Sequence, residues 1–318
     1  MTNDVTAYKV AVLAGGWSDE RDISLASAKE VKSALEEAGF TQVDLLDIAE
    51  DGFADTIAHG RYDVAFVAMH GKYGEDGCIQ GMLEVLHIPY TFSGVLASSL
   101  AMEKGMAKAV YRRANIPVSP DVVVEQNDPM AAEDVARIVD QLGLPLFVKP
   151  ACNGSSYGVS KVADAGELAI AVEKARSAGG RVLIEAAVEG TEITVPVLGN
   201  DDPRALTVIE VVTGADFYDE IVKYEPSELH HVIPARIDPK TYALAQELAV
   251  RAHVALGCRG CSRSDFILRA DGTPVILETN TIPGMTAASL LPDSARHEGI
   301  SFPSLCRTFV ELALEAHA

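Results

Sequence analysis

The chain has 318 residues, of which 48% are hydrophobic and 23% charged, a globular composition that excludes a disordered chain. Lys plus Arg number 26 against 46 Asp plus Glu, a formal charge of −20 that repels nucleic acid and anionic membranes. At about 150 residues per domain, this length predicts two domains or three small ones.

The first apolar run, residues 10–14, is too short for a signal-peptide core and runs straight into Gly15-Gly16. No run approaches the roughly 18 apolar residues of a membrane helix. Five scattered cysteines, an odd number, point to reduced thiols and a cytoplasmic location. Cys258 and Cys261 form a lone CxxC with no second ligand pair, which favours two packed thiols over zinc.

Residues 9–14 and 63–69 read as buried strands. Between them Leu25, Ala28, Val31, Leu35 and Ala38 recur at helical spacing, with Gly39 as a stop. Asp128-Pro129 predicts the start of a helix whose stripe is Val135, Ile138, Val139 and Leu142. Residues 146–149 suit a strand. Asp164 and Glu167 have the form of a capping box ahead of Leu168, Ala171, Val172 and Ala175. Asp238-Pro239 opens a long helix ending at Gly257. Strands are predicted over 182–186, 192–198, 206–212, 263–268 and 274–279. The alternation implies an α/β protein, with a mixed or antiparallel sheet in the second half.

The common nucleotide motifs, G-x-x-x-x-G-K-[ST] and G-x-G-x-x-G, are absent. Gly15-Gly16 fits an anion-binding turn or a plain tight turn equally well. Residues 154–158 match G-x-S-x-G, the nucleophile elbow of serine hydrolases. That elbow needs a helix after it, and residues 159–162 carry no helical stripe. A loop of glycines and hydroxyls suits phosphate contact better.

Residues 263–280 carry the strongest chemical signal. If Asp271-Gly272 is a two-residue turn, Asp265 lies opposite Glu278 and Arg263 opposite Asn280, all on one face. Facing carboxylates repel unless a cation lies between them. With the Asn280 amide they form a hard-oxygen set suited to Mg²⁺. The opposite face, Phe266, Leu268, Val275 and Leu277, is expected to cover a core. Lys104 and Lys149 are candidate phosphate contacts, although either alone reads as a solvated charge.

Six blocks together give the chain a close resemblance to D-alanine–D-alanine ligases of the ATP-grasp fold. They are AGGWSDERDISLASAKEV from Ala14, residues 70–104, LPLFVKPACNGSSYGVSKV from Leu144, FYDEIVKY from Phe217, GCRGCSRSDFIL from Gly257 and LETNTIPGMTAASLLP from Leu277. The match runs from Lys9 to about Leu314.

The resemblance implies an α/β fold of three domains: an N-terminal parallel α/β domain over 1–96, then two α+β domains over 97–187 and 188–318 that sandwich ATP. It implies that Lys104, Lys149, Ser155, Ser156 and Lys223 contact ATP phosphates or cover them. Glu185, Val188 and Glu192 match positions holding adenine and ribose. Asp265, Glu278 and Asn280 match the ligands of two Mg²⁺ or Mn²⁺ ions, and a monovalent cation is admitted. Glu20 and His70 match the first D-alanine site, and Ser289 and Leu290 the second substrate's carboxylate. Arg263 and the Gly284 N–H would stabilise the tetrahedral oxyanion. Tyr224 would join Ser155 and Glu20 in a hydroxyl network. The expected reaction phosphorylates one D-alanine carboxylate with ATP and lets the amine of the second attack the acyl phosphate, for peptidoglycan precursor synthesis. A homodimer with no nucleic-acid or membrane partner is expected.

Five positions depart from the pattern: Trp17, Cys152, Asn153, Tyr157 and Ala186. None removes a catalytic group. Two other readings remain: a sister ligase that uses D-lactate or another acceptor, and a non-catalytic nucleotide-binding protein. The intact Arg263, Asp265, Glu278 and Asn280 oppose the last.

Overall fold

The computed structural model describes residues 5–152, 158–213, 229–286 and 289–317. Strand β1 (Lys9–Ala14) is flanked by β2 (Gln42–Asp47) and β3 (Val64–Val67), both parallel to it. Helices α1 (Arg21–Glu37) and α2 (Phe53–His59) make the crossovers. Val10, Val12 and Leu13 have no exposed surface, as a strand covered on both faces requires. Helices α3 (Cys78–Val85), α4 (Val95–Met102) and α5 (Lys104–Arg113) follow.

The second sheet has the order β4-β7-β5-β6, all antiparallel, from β4 (Asp121–Val124), β5 (Leu146–Pro150), β6 (Ser160–Val162) and β7 (Val182–Ala186). Helices α6 (Ala132–Leu142) and α7 (Leu168–Gly179) supply its core through Ile138, Leu168, Val172 and Ala175. Helix α6 begins at Ala132, not at Asp128-Pro129. The Asp128 N–H closes a turn onto Glu125 O, and the Asp134 carboxylate accepts from Ala131 N at the real start. Asp164 caps a short 3-10 turn, Ala165–Glu167, ahead of α7. Residues 160–162 form a strand, so the helix that a nucleophile elbow demands does not follow Gly158.

The third sheet has the order β11-β10-β8-β12-β13, with β9 pairing on β8. Its strands are β8 (Thr191–Leu198), β9 (Arg204–Ala205), β10 (Ile209–Thr213), β11 (Leu229–Val232), β12 (Cys261–Leu268) and β13 (Pro274–Asn280). Helix α8 (Pro239–Leu256) begins where the Asp238 carboxylate accepts from Lys240 and Thr241 N–H. It ends at Gly257, whose φ of 73° suits glycine at a helix C-terminus. Ala245, Leu248 and Ala252 of α8 share a core with Ala101 of α4, Tyr111 of α5 and Phe266 of β12. Helix α9 (Leu290–His297) and helix α10 (Phe302–Ala316) return to the first sheet, where Phe309 packs against Phe66 and Phe92. Among the described residues, no helix is long and apolar enough to cross a membrane.

Candidate active site

The hairpin of β12 and β13 pairs Asp265 with Glu278 and Arg263 with Asn280, as the spacing predicts. The turn itself differs. Leu268 pairs with Pro274 and Phe266 with Ile276, so the register near the turn is shifted by one residue. A β-bulge between Asp265 and Phe266 restores it, with Leu277 as the extra residue on β13. The apolar face is therefore Phe266, Leu268, Pro274 and Ile276, rather than the predicted set with Val275 and Leu277.

Repulsion between the facing carboxylates is relieved by side chains. Arg263 donates two bonds to Asp265, Nε to Oδ1 at 3.0 Å and an Nη to Oδ2 at 2.8 Å. Thr194 on β8 also donates to Asp265. Lys104 Nζ stands 2.9 Å from Glu278 Oε2. Burial opposes the Lys104 charge, but Glu278 and then Glu185 outweigh it and raise its pKa. Each carboxylate thus has a cation of its own. Behind them Ser264 and Thr279 are buried and share a 2.9 Å hydroxyl contact, and Tyr111 OH donates to Thr279 at 2.8 Å.

Lys104 opens α5, and its N–H donates to Ala151 O, just beyond β5. This bond brings it near Lys149, the fourth residue of β5. Lys149 pairs with Glu185 Oε1 on β7, and Lys108, one turn beyond Lys104, lies 2.7 Å from Oε2. Burial pushes the Glu185 carboxyl up, yet Lys149 and Lys108 outweigh it and hold it down to about 2. Val188 and Glu192 follow on the link to β8 and on β8 itself, where Glu192 pairs with Ile267.

The first sheet supplies the remaining groups. Glu20 immediately precedes α1, and its carboxylate lies where a Cβ on Gly71 would sit 2.8 Å from Oε2. His70 is 5% exposed, with Nε2 3.5 Å from Ser27 Oγ. The Gly71 N–H donates to Glu75 Oε2 at 2.8 Å. A cleft lined by Glu75, Met102, Lys104, Glu278, Asn280 and Thr281 joins this loop to the hairpin. Gly15 and Gly16 form a tight turn whose N–H groups are taken by Ser24 Oγ and Asp47 Oδ1, not an anion site.

Beyond the hairpin, Asn280 Oδ1 accepts from Ile282 N at 3.1 Å. Gly284 faces Ser289: a Cβ there would lie 2.9 Å from Ser289 Oγ. Ser289 Oγ also contacts Thr286 N and Oγ1, and Leu290 begins α9. Ser155, Ser156, Lys223 and Tyr224 lie outside the described residues. So do Asn153 and Tyr157. Trp17 is 65% exposed and stacks edge-on against Tyr73. Cys258 and Cys261 are buried thiols, each pushed up by burial.

Three residues escape sequence reasoning: Lys108, Glu75 and Thr194. Lys108 alone had a signal, since it lies four residues after Lys104 on one helical face. Glu75 and Thr194 are placed by tertiary contacts.

The family description "D-ala D-ala ligase C-terminus" matches residues 110–311, and "D-ala D-ala ligase N-terminus" matches residues 51–93. A D-alanine–D-alanine ligase of Pelotomaculum thermopropionicum is 45% identical, over 96% of this chain and 97% of its own length. One from Desulforamulus reducens is 43% identical, over 97% and 99%. The crystal structure of the Bacillus anthracis D-alanine–D-alanine ligase superposes with a TM-score of 0.84 at 30% identity, covering 98% of this chain and 99% of that one. A second structure of that enzyme, complexed with ATP, matches with the same TM-score at 29% identity and the same coverage. The chain belongs to the D-alanine–D-alanine ligase family.

Proposed function

We propose that the chain converts ATP and two D-alanines to ADP, phosphate and D-alanyl-D-alanine, a peptidoglycan precursor, through an acyl phosphate. The observation that carries this reading is the position of Lys104. Its backbone is tied to the end of β5, and its ammonium is paired with Glu278 of the hairpin across the cleft. One cation thus links the phosphate strand to the proposed metal hairpin.

In this reading Lys104 and Lys149 receive the phosphates, and Glu185, Val188 and Glu192 hold the nucleoside. Glu20 takes the ammonium of the first D-alanine, with His70 beside it. Arg263 and the Gly284 N–H face the developing oxyanion, where fixed donors lower the barrier most. Ser289 and Leu290 hold the carboxylate of the second D-alanine at the start of α9, where helix N–H groups favour an anion. Asp265, Glu278 and Asn280 fit Mg²⁺: three hard oxygen donors share one strand-pair face, and two are carboxylates. Such ions would neutralise charge on the transferring phosphoryl group. The homodimer, the cytoplasmic setting and the division at 96/97 and 187/188 belong to the same reading.

The test is ADP release with D-alanine, with L-alanine, and with D-alanine plus D-lactate, followed by product identification. D-alanine alone is expected to give ADP and the dipeptide. A folded preparation that turns over no ATP with D-alanine overturns the reading, and mainly depsipeptide in the mixed reaction assigns a different acceptor.

A further inference from the structure

Five charged side chains are joined by ion pairs around Glu185 and Asp121. They are Lys108 and Arg112 of α5, Asp121 of β4, Lys149 of β5 and Glu185 of β7. Asp121 and Glu185 are direct cross-strand partners. Three cations therefore face two carboxylates, one positive charge in excess.

The two lysines on Glu185 are held differently. Lys108 Nζ lies 2.7 Å from Glu185 Oε2, 2.8 Å from Ser119 Oγ and 3.2 Å from Asp121 Oδ1. Those contacts use all three ammonium hydrogens. Its side chain is 1% exposed, and Ser119 adds its own 3.2 Å bond to Glu185 Oε2. Lys149 holds the other oxygen, Oε1, and its side chain is 12% exposed at the end of β5. If Lys149 leaves for a phosphate, the remaining four charges balance. If Lys108 left, a buried carboxylate and a buried hydroxyl would lose their partner together, which is costly.

We propose that Lys108 is a positioning residue for nucleotide choice: it keeps Glu185 ionised and oriented while Lys149 transfers to ATP phosphate. This inference rests on the reading of Glu185 as an adenine contact. An ionised carboxylate only accepts hydrogen bonds. It accepts from the exocyclic amine of adenine and repels the oxo group that replaces it in hypoxanthine. Without Lys108, Glu185 either takes up a proton, and can then donate to that oxo group, or retains Lys149. The first loses purine discrimination, and the second withholds a cation from the phosphates.

The experiment measures KM and kcat with ATP and with inosine 5′-triphosphate for the full-length protein and for K108M, S119A and E185Q, with thermal melting as a folding control. The wild type is expected to prefer ATP by about tenfold or more in kcat/KM, the scale of a hydrogen bond to a charged group. K108M should raise the KM for ATP with little change in kcat and bring the preference to within about twofold of unity. S119A should move the same way by less, and it serves if K108M does not fold. A role for Lys108 confined to folding predicts a lower melting temperature with the nucleotide preference intact, and that result overturns the proposal. If E185Q abolishes the preference while K108M and S119A retain it, Lys108 is excluded but the adenine reading stands. If E185Q keeps the preference, Glu185 does not read the base, and both fall.

Discussion

Asp265 and Glu278 face each other across the β12–β13 hairpin, and each carboxylate is held by a different cation, Arg263 for Asp265 and Lys104 for Glu278. Each carboxylate is thus balanced by one cation, and a metal bound at this hairpin competes with Lys104 and Arg263 for their oxygens.

Glu278→Gln preserves volume and hairpin shape while removing one charge. Turnover is expected to fall by at least about a hundredfold at saturating ATP and Mg²⁺, since the neutral amide removes one of the two negative charges offered to the cation. The melting temperature should change little. Near-wild-type turnover would make the pairing purely structural.

Gly71 has a φ of 69°, and a Cβ there would sit 2.8 Å from Glu20 Oε2. Gly71→Ala therefore strains the backbone by about 1 kcal/mol and pushes the carboxylate away from the first D-alanine position. The KM for that D-alanine is expected to rise about tenfold, with kcat far less affected. Initial-rate kinetics resolved for the two D-alanine sites check this, and an unchanged KM removes Glu20 from substrate binding.

His253 of α8 is fully buried, its Nδ1 2.8 Å from Ser262 Oγ. Burial lowers its pKa from 6.5 to about 4. The folded protein then binds fewer protons than the unfolded chain between those values, so stability falls as pH drops below 6.5. The loss by pH 5 should be about 2 kcal/mol. Urea unfolding at pH 7.5, 6 and 5 measures it, and the pH slope should shrink by that amount in His253→Gln. An identical slope in both proteins would show that another group sets the acid sensitivity.

Strong local signals in the sequence correspond to elements of the fold. Asp238-Pro239 and Gly257 bracket α8 because capping chemistry is decided within a few residues. The Asp265–Glu278 pairing was legible for a subtler reason. The turn is not the two-residue loop that Asp271-Gly272 suggests, but the bulge at Leu277 cancels the one-residue shift before the carboxylates are reached. Nothing local announces that bulge. The partners of the carboxylates were equally hidden: Lys104 lies 174 residues from Glu278 in sequence, and only the packing of α5 beside β13 brings them together. Pro129 misled for the converse reason, since a good helix-opening dipeptide was already committed to a turn with Glu125.

The competition between Lys104 and a metal for Glu278 gives the sharpest test of the site. In the nucleotide-free protein a divalent cation must share Glu278 with an ammonium that stands 2.9 Å from its Oε2, and the two cations repel each other. Phosphate oxygens relieve this by drawing Lys104 off the carboxylate, so nucleotide and metal should each tighten the other's binding. Lys104→Met separates the two effects. It removes the competing charge and also removes a phosphate contact. Mn²⁺ titrated into nucleotide-free protein, followed by the loss of its free-ion electron paramagnetic resonance signal, should bind the variant about tenfold more tightly than wild type, a difference of about 1.4 kcal/mol. The KM for ATP should rise in the same variant. Opposite signs are the diagnostic, because general damage to the fold weakens both. Adding Glu278→Gln to Lys104→Met should abolish the gain in Mn²⁺ affinity. If Lys104→Met binds Mn²⁺ no more tightly than wild type, Glu278 is not a ligand even when uncovered, and the hairpin's oxygens serve Lys104 and Arg263 alone.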